Sequence, residues 1–500
     1  MRFRGATKAR DLLTKGISYV EFRSFDINPY AAYGMTEEDM RFIHLFLVSL
    51  LWRGETVRQQ DIKRGQDYKE EVAMAHPYTP AAQEQEGIAL LKDMLEMLDC
   101  LQPSTIAEDK KIVEEKLQQF YHPTTTIAAK LVNDIEQQGD YQSVGLRLAK
   151  HYKNLAMQEP FALKGFKNLE LSTQILMFDA IQKGIKVEVL DEHDQFLSLT
   201  AFDRVEYVKN GNMTSRDSIS SYMAMANKVI TKKIIEKQGF HVPFGYECHT
   251  EEEALALYSL LQGIAFVIKP KSTNYGLGIT IFKQTPTLED YTKAIQFAFA
   301  EDSTILVEHF VTGTEYRFFV INGETKAVLL RKPAHVIGDG VHSIAELVEE
   351  KNKHPYRGYG HQAPLTKIEL GDIEILLLKQ QGFVSSDIPA KDQIVYLREN
   401  SNISTGGDSV DVTKEMDNSY KQLAAEVAVA MGAVVCGVDM MIEDYTQPAT
   451  KSVHQRYAVI EANFNPAMMM QIYPEKGEGR RLTMDILQLL FPEIVKGASE

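Results

Sequence analysis

Three cysteines, one tryptophan and a shortage of positive charge set the first limits on this 500-residue chain. Cys100, Cys248 and Cys436 lie far apart and show no metal-ligand spacing, so they are expected to be buried free thiols in a reducing cytosol. Lys and Arg number 54 against 69 Asp and Glu, a net charge of −15, whereas a nucleic-acid surface needs a basic excess to neutralise phosphates. A local basic pocket for a nucleotide stays open. Long apolar runs are missing too. The most hydrophobic stretch, "FIHLFLVSLLW" from Phe42 to Trp52, is interrupted by His44 and Ser49 and falls short of the roughly 20 residues a bilayer requires. It reads as a buried helix, with Thr36 and Asp39 spaced as a capping box before it. "MRFRGATKARDLL" has no apolar core segment of a secretory signal. A soluble, cytoplasmic protein without membrane or nucleic-acid partners is expected. The 13 histidines include no H-E-x-x-H pair, and no Ser/His/Asp or Cys/His arrangement stands out.

What is present is ordinary globular composition, 44% hydrophobic and 25% charged, at a length that predicts two or three domains. To about residue 200 the pattern is mostly helical, as in "EGIALLKDMLEMLDCLQ". Near the start, "GISYVEFRSFDINPY" alternates as a strand and stops at Asn28-Pro29. Further on, β-rich runs alternate with helices: "GIAFVIKP", "STILVEHF", "EYRFFVINGETKAVLLRKP" and "DQIVYLREN". Asn322-Gly323 between two alternating runs predicts a type I′ hairpin. The change of texture divides the chain into residues 1–203 and 204–500.

The second part carries the chemistry. In "CGVDMMIEDYT…RYAVIEANFNP" two apolar strands hold Asp439, Glu461 and Asn463 where a core prefers Val or Leu. A buried carboxylate without a partner costs several kcal/mol. Counting by twos puts Tyr457, Val459, Glu461, Asn463 and Asn465 on one face, and antiparallel pairing would let Asp439, Glu461 and Asn463 converge. Two carboxylates and an amide oxygen suit Mg²⁺ shared with nucleotide phosphates; an exposed acidic edge strand is the alternative. "FVIKPKSTNYGLGI" ends a β-run at Lys269 and continues through Ser272, Gly276 and Gly278, either a phosphate cradle or a tight turn. Glu308 could accept hydrogen bonds from an amine or a ribose hydroxyl. Glu315 and Arg317 share a strand face, and Arg317 offers a fork for phosphate or carboxylate, with a cross-strand salt bridge as the alternative. In "RENSNISTGGDSVDVT", Arg398 and Asn402 could reach phosphate oxygens, or the segment is a solvated loop.

The order of these pieces is more specific than any one of them: Lys228 at a helix start, Lys269 before a Gly-rich hairpin, Glu308, the Glu315/Arg317 strand, the Asn402 loop, then Asp439 and Glu461-x-Asn463. From about residue 220 onward the chain resembles the ATP-grasp carboxylate–amine ligases. "RKPAHVIGDGVHSIAELVEEKN" is similar to those of the cyanophycin synthetase and bifunctional glutathione synthetase type. "YVEFRSFDINPYAAYGM" resembles the glutamate–cysteine ligase segment in which a strand Glu binds metal and an Arg two residues later contacts nucleotide, here Glu21 and Arg23. A glutamate–cysteine ligase module followed by an ATP-grasp module resembles the bifunctional glutathione biosynthesis family.

The resemblance implies an α+β and α/β chain: the C-terminal portion of a ligase-type module over 1–203, then a complete ATP-grasp fold over 204–500. About 250 further residues precede this point in the family's ligase module, so Glu21 and Arg23 would form part of a site whose other wall lies in that material. The implied reaction joins γ-glutamylcysteine and glycine at the expense of ATP, through an acyl phosphate. Lys228, Lys269, Ser272, Gly276 and Asn402 would serve the phosphates, with Glu308 and Glu315 toward adenine and ribose. Arg317 and Arg398 would stabilise charge, and Asp439, Glu461 and Asn463 would hold Mg²⁺ or Mn²⁺. The segment 272–278 would close as a lid. Alternatives are one subunit of a split two-step enzyme that also joins glutamate and cysteine, a cyanophycin-type ligase, and an inactive nucleotide-binding remnant. A homodimer is the commonest arrangement for such a chain.

Overall fold

A computed structural model describes residues 22, 25–54, 59–271, 278–451 and 456–496. The chain divides into two compact units, Met1–Glu159 and Pro160–Glu500.

The first unit is helical among its described residues, with helices Glu37–Arg53, Gln59–Met74, Glu84–Leu101, Ile106–Tyr121, Ile127–Gln138 and Tyr141–Gln158. Ile88, Leu91, Met94 and Leu98 recur at three- and four-residue steps and form one buried stripe, closed by Leu45, Val113 and Leu117. The expected capping box is present: the Thr36 hydroxyl accepts from the Asp39 backbone N–H and the Asp39 carboxylate accepts from that of Thr36. The apolar run behind it is not a buried helix. Leu45 and Ser49 face the core, whereas Leu51 is 83% exposed and Trp52 half exposed. Eleven successive positions around a helix cannot all face one neighbour, and the unit packs against a single stripe. Cys100 is likewise exposed, while Cys248 and Cys436 are buried as expected. The strand expected over 17–28 lies largely outside the described residues.

The second unit opens with the buried helix Leu171–Gln182 and an antiparallel meander, β1 (Lys186–Asp191), β2 (Phe196–Ala201), β3 (Arg204–Lys209) and β4 (Met213–Thr214). The division expected at 203/204 therefore falls in the β2–β3 turn, next to the Ala201–Arg204 pair. The helical texture gives way before residue 186, and packing divides the chain earlier still. Helices Ile219–Met225 and Lys228–Lys237 follow, broken at Asn227, whose side chain caps the second by accepting from the N–H groups of Val229 and Ile230.

A four-stranded antiparallel sheet comes next, β5 (Gly245–Cys248), β6 (Phe266–Pro270), β7 (Thr280–Phe282) and β8 (Ile305–His309), in the order β5-β8-β6-β7. Phe266, Ile268, Ile305 and Val307 turn one face onto Tyr291, Ile295 and Ala298 of the helix Leu288–Glu301. The opposite face carries Lys269 and Glu308.

The larger sheet is built from β9 (Thr314–Ile321), β10 (Glu324–Lys332), β15 (Asp408–Asp411), β16 (Val435–Ile442) and β17 (Tyr457–Asn463), all antiparallel, in the order β15-β10-β9-β16-β17. Between β10 and β15 run two small pairs, β11 (His335–Ile337) with β14 (Ile394–Tyr396) and β12 (Arg357–Gly358) with β13 (Leu365–Thr366). The β9–β10 turn is the hairpin expected at Asn322-Gly323. Both residues have positive φ, 49° and 73°, the conformation a type I′ turn demands. Tyr316, Phe318, Val320, Val438 and Met440 bury one face of this sheet against Leu423 and Val427 of the helix Asn418–Ala430. The other face changes character along its length. Phe319, Ile321 and Val435 pack on the helices Leu171–Gln182 and Leu482–Leu490, while Glu315, Arg317 and Asp439 occupy the far end.

Candidate active site

Two charged clusters gather residues singled out in the sequence. The first joins the small sheet to the helix Lys228–Lys237. That helix is anchored in the core by Ile235, and Lys228 and Lys232, four residues apart, lie on one of its faces. Lys232 Nζ donates to Glu308 Oε1, and Lys269 Nζ lies 2.7 Å from Glu308 Oε2. One buried carboxylate thus serves two ammonium groups. Burial by itself would raise Glu308, but Lys269 and Lys232 outweigh it and hold the carboxyl below its ordinary range. Burial lowers Lys228, opposed chiefly by the negative charge of Glu461.

The second cluster crosses the larger sheet. Register pairs Arg317 with Asp439 and Asp439 with Glu461, so a cation and two carboxylates stand in a row across β9, β16 and β17. Arg317 grips Asp439 with two nitrogens, Nε on Oδ1 and Nη2 on Oδ2 at 2.5 Å. Arg331 on β10 reaches Asp439 Oδ2 at 3.1 Å and also pairs with Glu315. Ser401 donates to Glu315 Oε2 at 2.6 Å, which ties the loop after β14 to the same cluster. At the other end Asn463 Nδ2 donates to Glu461 Oε1 at 3.1 Å, and Arg317 Nη2 stands 3.8 Å from that oxygen. Asp439 is 1% exposed. Burial pushes its carboxyl upward, but the two guanidiniums hold it far below the usual carboxylate range.

A bulge on β17 gives this row its direction. Asp439 pairs with Glu461 while Met440 pairs with Val459, leaving Ile460 as the extra residue. Tyr457 and Val459 therefore face the core, and Glu461 and Asn463 face the site. The expectation that all four share a face fails for that reason: the count by twos holds only where the ladder is unbroken.

The structure thus brings together Lys228, Lys269 and Glu308 in one cluster, and Glu315, Arg317, Asp439, Glu461 and Asn463 in the other. Asp439 is compensated by two arginines. Arg398 is engaged outside the second cluster, its Nε donating to Glu374 of the helix Asp372–Gln380. Asn402 opens the 3₁₀ turn Ile403–Thr405, and its backbone carbonyl accepts from the Thr405 hydroxyl and the Gly407 N–H. Glu21, Arg23, Ser272 and Gly276 lie outside the described residues. Sequence reading passed over Lys232 and Arg331. Their only local signals were a second Lys at i+4 in "NKVITKK" and an Arg directly after the short apolar run Ala327–Leu330.

Among the described residues, no three His, Cys, Asp or Glu side chains converge as a metal site. Glu461 and the Asn463 amide, with Asp439 behind them, nevertheless form an oxygen-only donor set. It suits a hard divalent ion that keeps few protein ligands and shares its shell with phosphates. Among the described residues, no helix is long and apolar enough to cross a membrane.

A family model described as an ATP-grasp-like domain matches residues 167–219, and one described as glutamate-cysteine ligase matches residues 2–72. The glutathione biosynthesis bifunctional protein GshAB of Pasteurella multocida is 54% identical over 495 residues, and that of Enterococcus faecalis 47% identical over 497. Each alignment covers 99% of this chain and 65% of the relative. The crystal structure of a bifunctional glutathione synthetase from Pasteurella multocida superposes with a TM-score of 0.67 at 53% identity, covering 98% of this chain and 67% of that one. The class is therefore an ATP-grasp fold, whose ligases bind ATP and divalent metal ions. Within that class, the chain belongs to the family of bifunctional glutathione biosynthesis proteins. It spans about two thirds of the length of the curated relatives it matches.

Proposed function

We propose that the second unit joins the cysteinyl carboxylate of γ-glutamylcysteine to the amine of glycine, with ATP converted to ADP and phosphate. The observation that carries this reading is the pair of clusters, Lys232 and Lys269 on one buried glutamate with Lys228 on the same helix face as Lys232, and an Arg–Asp–Glu row ending in Asn463, in a chain related to glutathione biosynthesis proteins. Lys228 and Lys269 are the cations for the nucleotide phosphates. Glu461 and Asn463 are the donors for a divalent ion, taken as Mg²⁺, with Asp439 behind them. When bound, that ion neutralises charge on the phosphates. Arg317 and Arg331 hold the acidic row in a fixed geometry, which limits reorganisation during the reaction.

In the proposed sequence the substrate carboxylate oxygen attacks the γ-phosphorus of ATP and ADP leaves. The glycine nitrogen then attacks the acyl carbon, loses a proton, and phosphate departs with the former carboxylate oxygen. γ-Glutamylcysteine carrying ¹⁸O in its cysteinyl carboxylate should therefore yield glutathione and phosphate bearing one ¹⁸O atom. Unlabelled phosphate would overturn the acyl-phosphate route. We further propose that the ligase-type portion ends near residue 160. The break between compact units at Glu159/Pro160 and the ATP-grasp-like match over 167–219 support this boundary.

A further inference from the structure

Lys232, one of four lysines on its helix, is assigned no role in the reading above, yet it is buried. Its ammonium is buried against Glu308 Oε1, and the other carboxylate oxygen takes Lys269. Space for this arrangement is built into the neighbouring strand. Gly245 is paired with Glu308, and a Cβ there would come within 2.5 Å of the Glu308 Cγ and 2.6 Å of the Val307 carbonyl oxygen. The carboxylate lies in a slot whose open side faces the two ammonium groups.

Consider the same slot without Lys232. Glu308 and Lys269 would form a one-to-one buried pair, and the charge of Lys269 would be spent on its neighbour. With Lys232 present the carboxylate is shared, and the group as a whole keeps positive charge for an incoming anion. We propose that Lys232 is a positioning residue for the nucleotide: by holding one oxygen of Glu308, it leaves the positive charge of Lys269 less cancelled toward the phosphates. This rests on the reading of the lysine cluster as the ATP site.

The groups facing Lys232 are Glu308 from β8, Lys269 from β6 and Lys228 from its own helix. Burial, then the charge of Lys269, brings its pKa down to about 8, while Glu308 pulls the other way. Below that value Lys232 is an ammonium. As pH rises through it, the cluster loses one positive charge and Glu308 closes on Lys269. ATP affinity should fall on the alkaline side of about 8 for that reason.

The test is calorimetric titration of ATP with Mg²⁺ into the whole chain at pH values on either side of about 8. Lys232→Met should weaken binding on the order of tenfold at neutral pH and abolish the alkaline decline. Lys232→Arg keeps a charge that does not titrate, so it should bind well and also lose the decline. Because Lys232 acts through Glu308, adding Lys232→Met to Glu308→Gln should cost little more than Glu308→Gln alone. A Lys232→Met protein with a native circular dichroism spectrum and unchanged affinity and pH profile overturns the inference. So does a decline that survives in Lys232→Arg, which also decides the matter if the Met variant fails to fold. Lys228, itself lowered by burial, remains in every variant, so a surviving decline belongs to it. Wild-type protein that binds no ATP overturns the nucleotide site and this inference together; the other failures leave the site standing.

Discussion

Asp439 was visible in the sequence as a misfit, an acid in a run of Val, Met and Ile. Its need for compensation could be argued from the cost of burying a charge. The identity of the compensating groups could not, because Arg317 and Arg331 lie 122 and 108 positions away and reach it only through strand pairing. The Asp439 carboxyl is held below its ordinary value, so its contribution to stability is present above the unfolded-state carboxyl range. It is lost as pH falls toward the depressed folded value. Replacing Arg317 with Met leaves a buried carboxylate with Arg331 alone. Breaking such a pair costs about 3–5 kcal/mol, and urea unfolding followed by a probe in the second unit should show a loss of that order. A loss below about 1 kcal/mol, the range of an exposed pair, would mean that the grip of Arg317 on Asp439 adds little to the fold.

Strands and turns with strong local signals were legible. Asn322-Gly323 dictated its hairpin, and the capping box at Thr36 set a helix start. Features that depend on a partner strand were not. The bulge at Ile460 separates Val459 from Glu461 in facing direction, and nothing in "YAVIEAN" marks it, since the extra residue is defined only by its register against β16. The meander β1–β4 was missed because its strands are short and half exposed, so the alternation carries few apolar positions. Gly245 belongs to this scale as well, a glycine kept for room beside its partner strand. Gly245→Ala would place a methyl group 2.6 Å from a backbone oxygen, forcing β5 and β8 apart. Overpacking of this kind typically costs about 1–3 kcal/mol. A lowered melting temperature together with weaker ATP binding is expected; an unchanged melting temperature would show that the sheet absorbs the methyl group.

The order of charged residues along the chain was enough to suggest an ATP-grasp module behind ligase-type sequence, because that order follows the order of the strands that carry them. The division between compact units was not legible. The texture changes at the meander, whereas packing breaks at Glu159/Pro160, before the helix Leu171–Gln182 joins the core of the second unit. The relatives are named as bifunctional glutathione biosynthesis proteins and this chain spans 65% of the length of the Pasteurella multocida one, so the activities need to be separated by experiment. The most direct measurement is ADP release by the purified chain with ATP and Mg²⁺, offered γ-glutamylcysteine plus glycine and, in a parallel reaction, glutamate plus cysteine. Release with the first pair, matched by glutathione formed, is the predicted result. Release with neither pair, or with the second alone, would contradict the assignment of the second unit as the glycine-adding ligase.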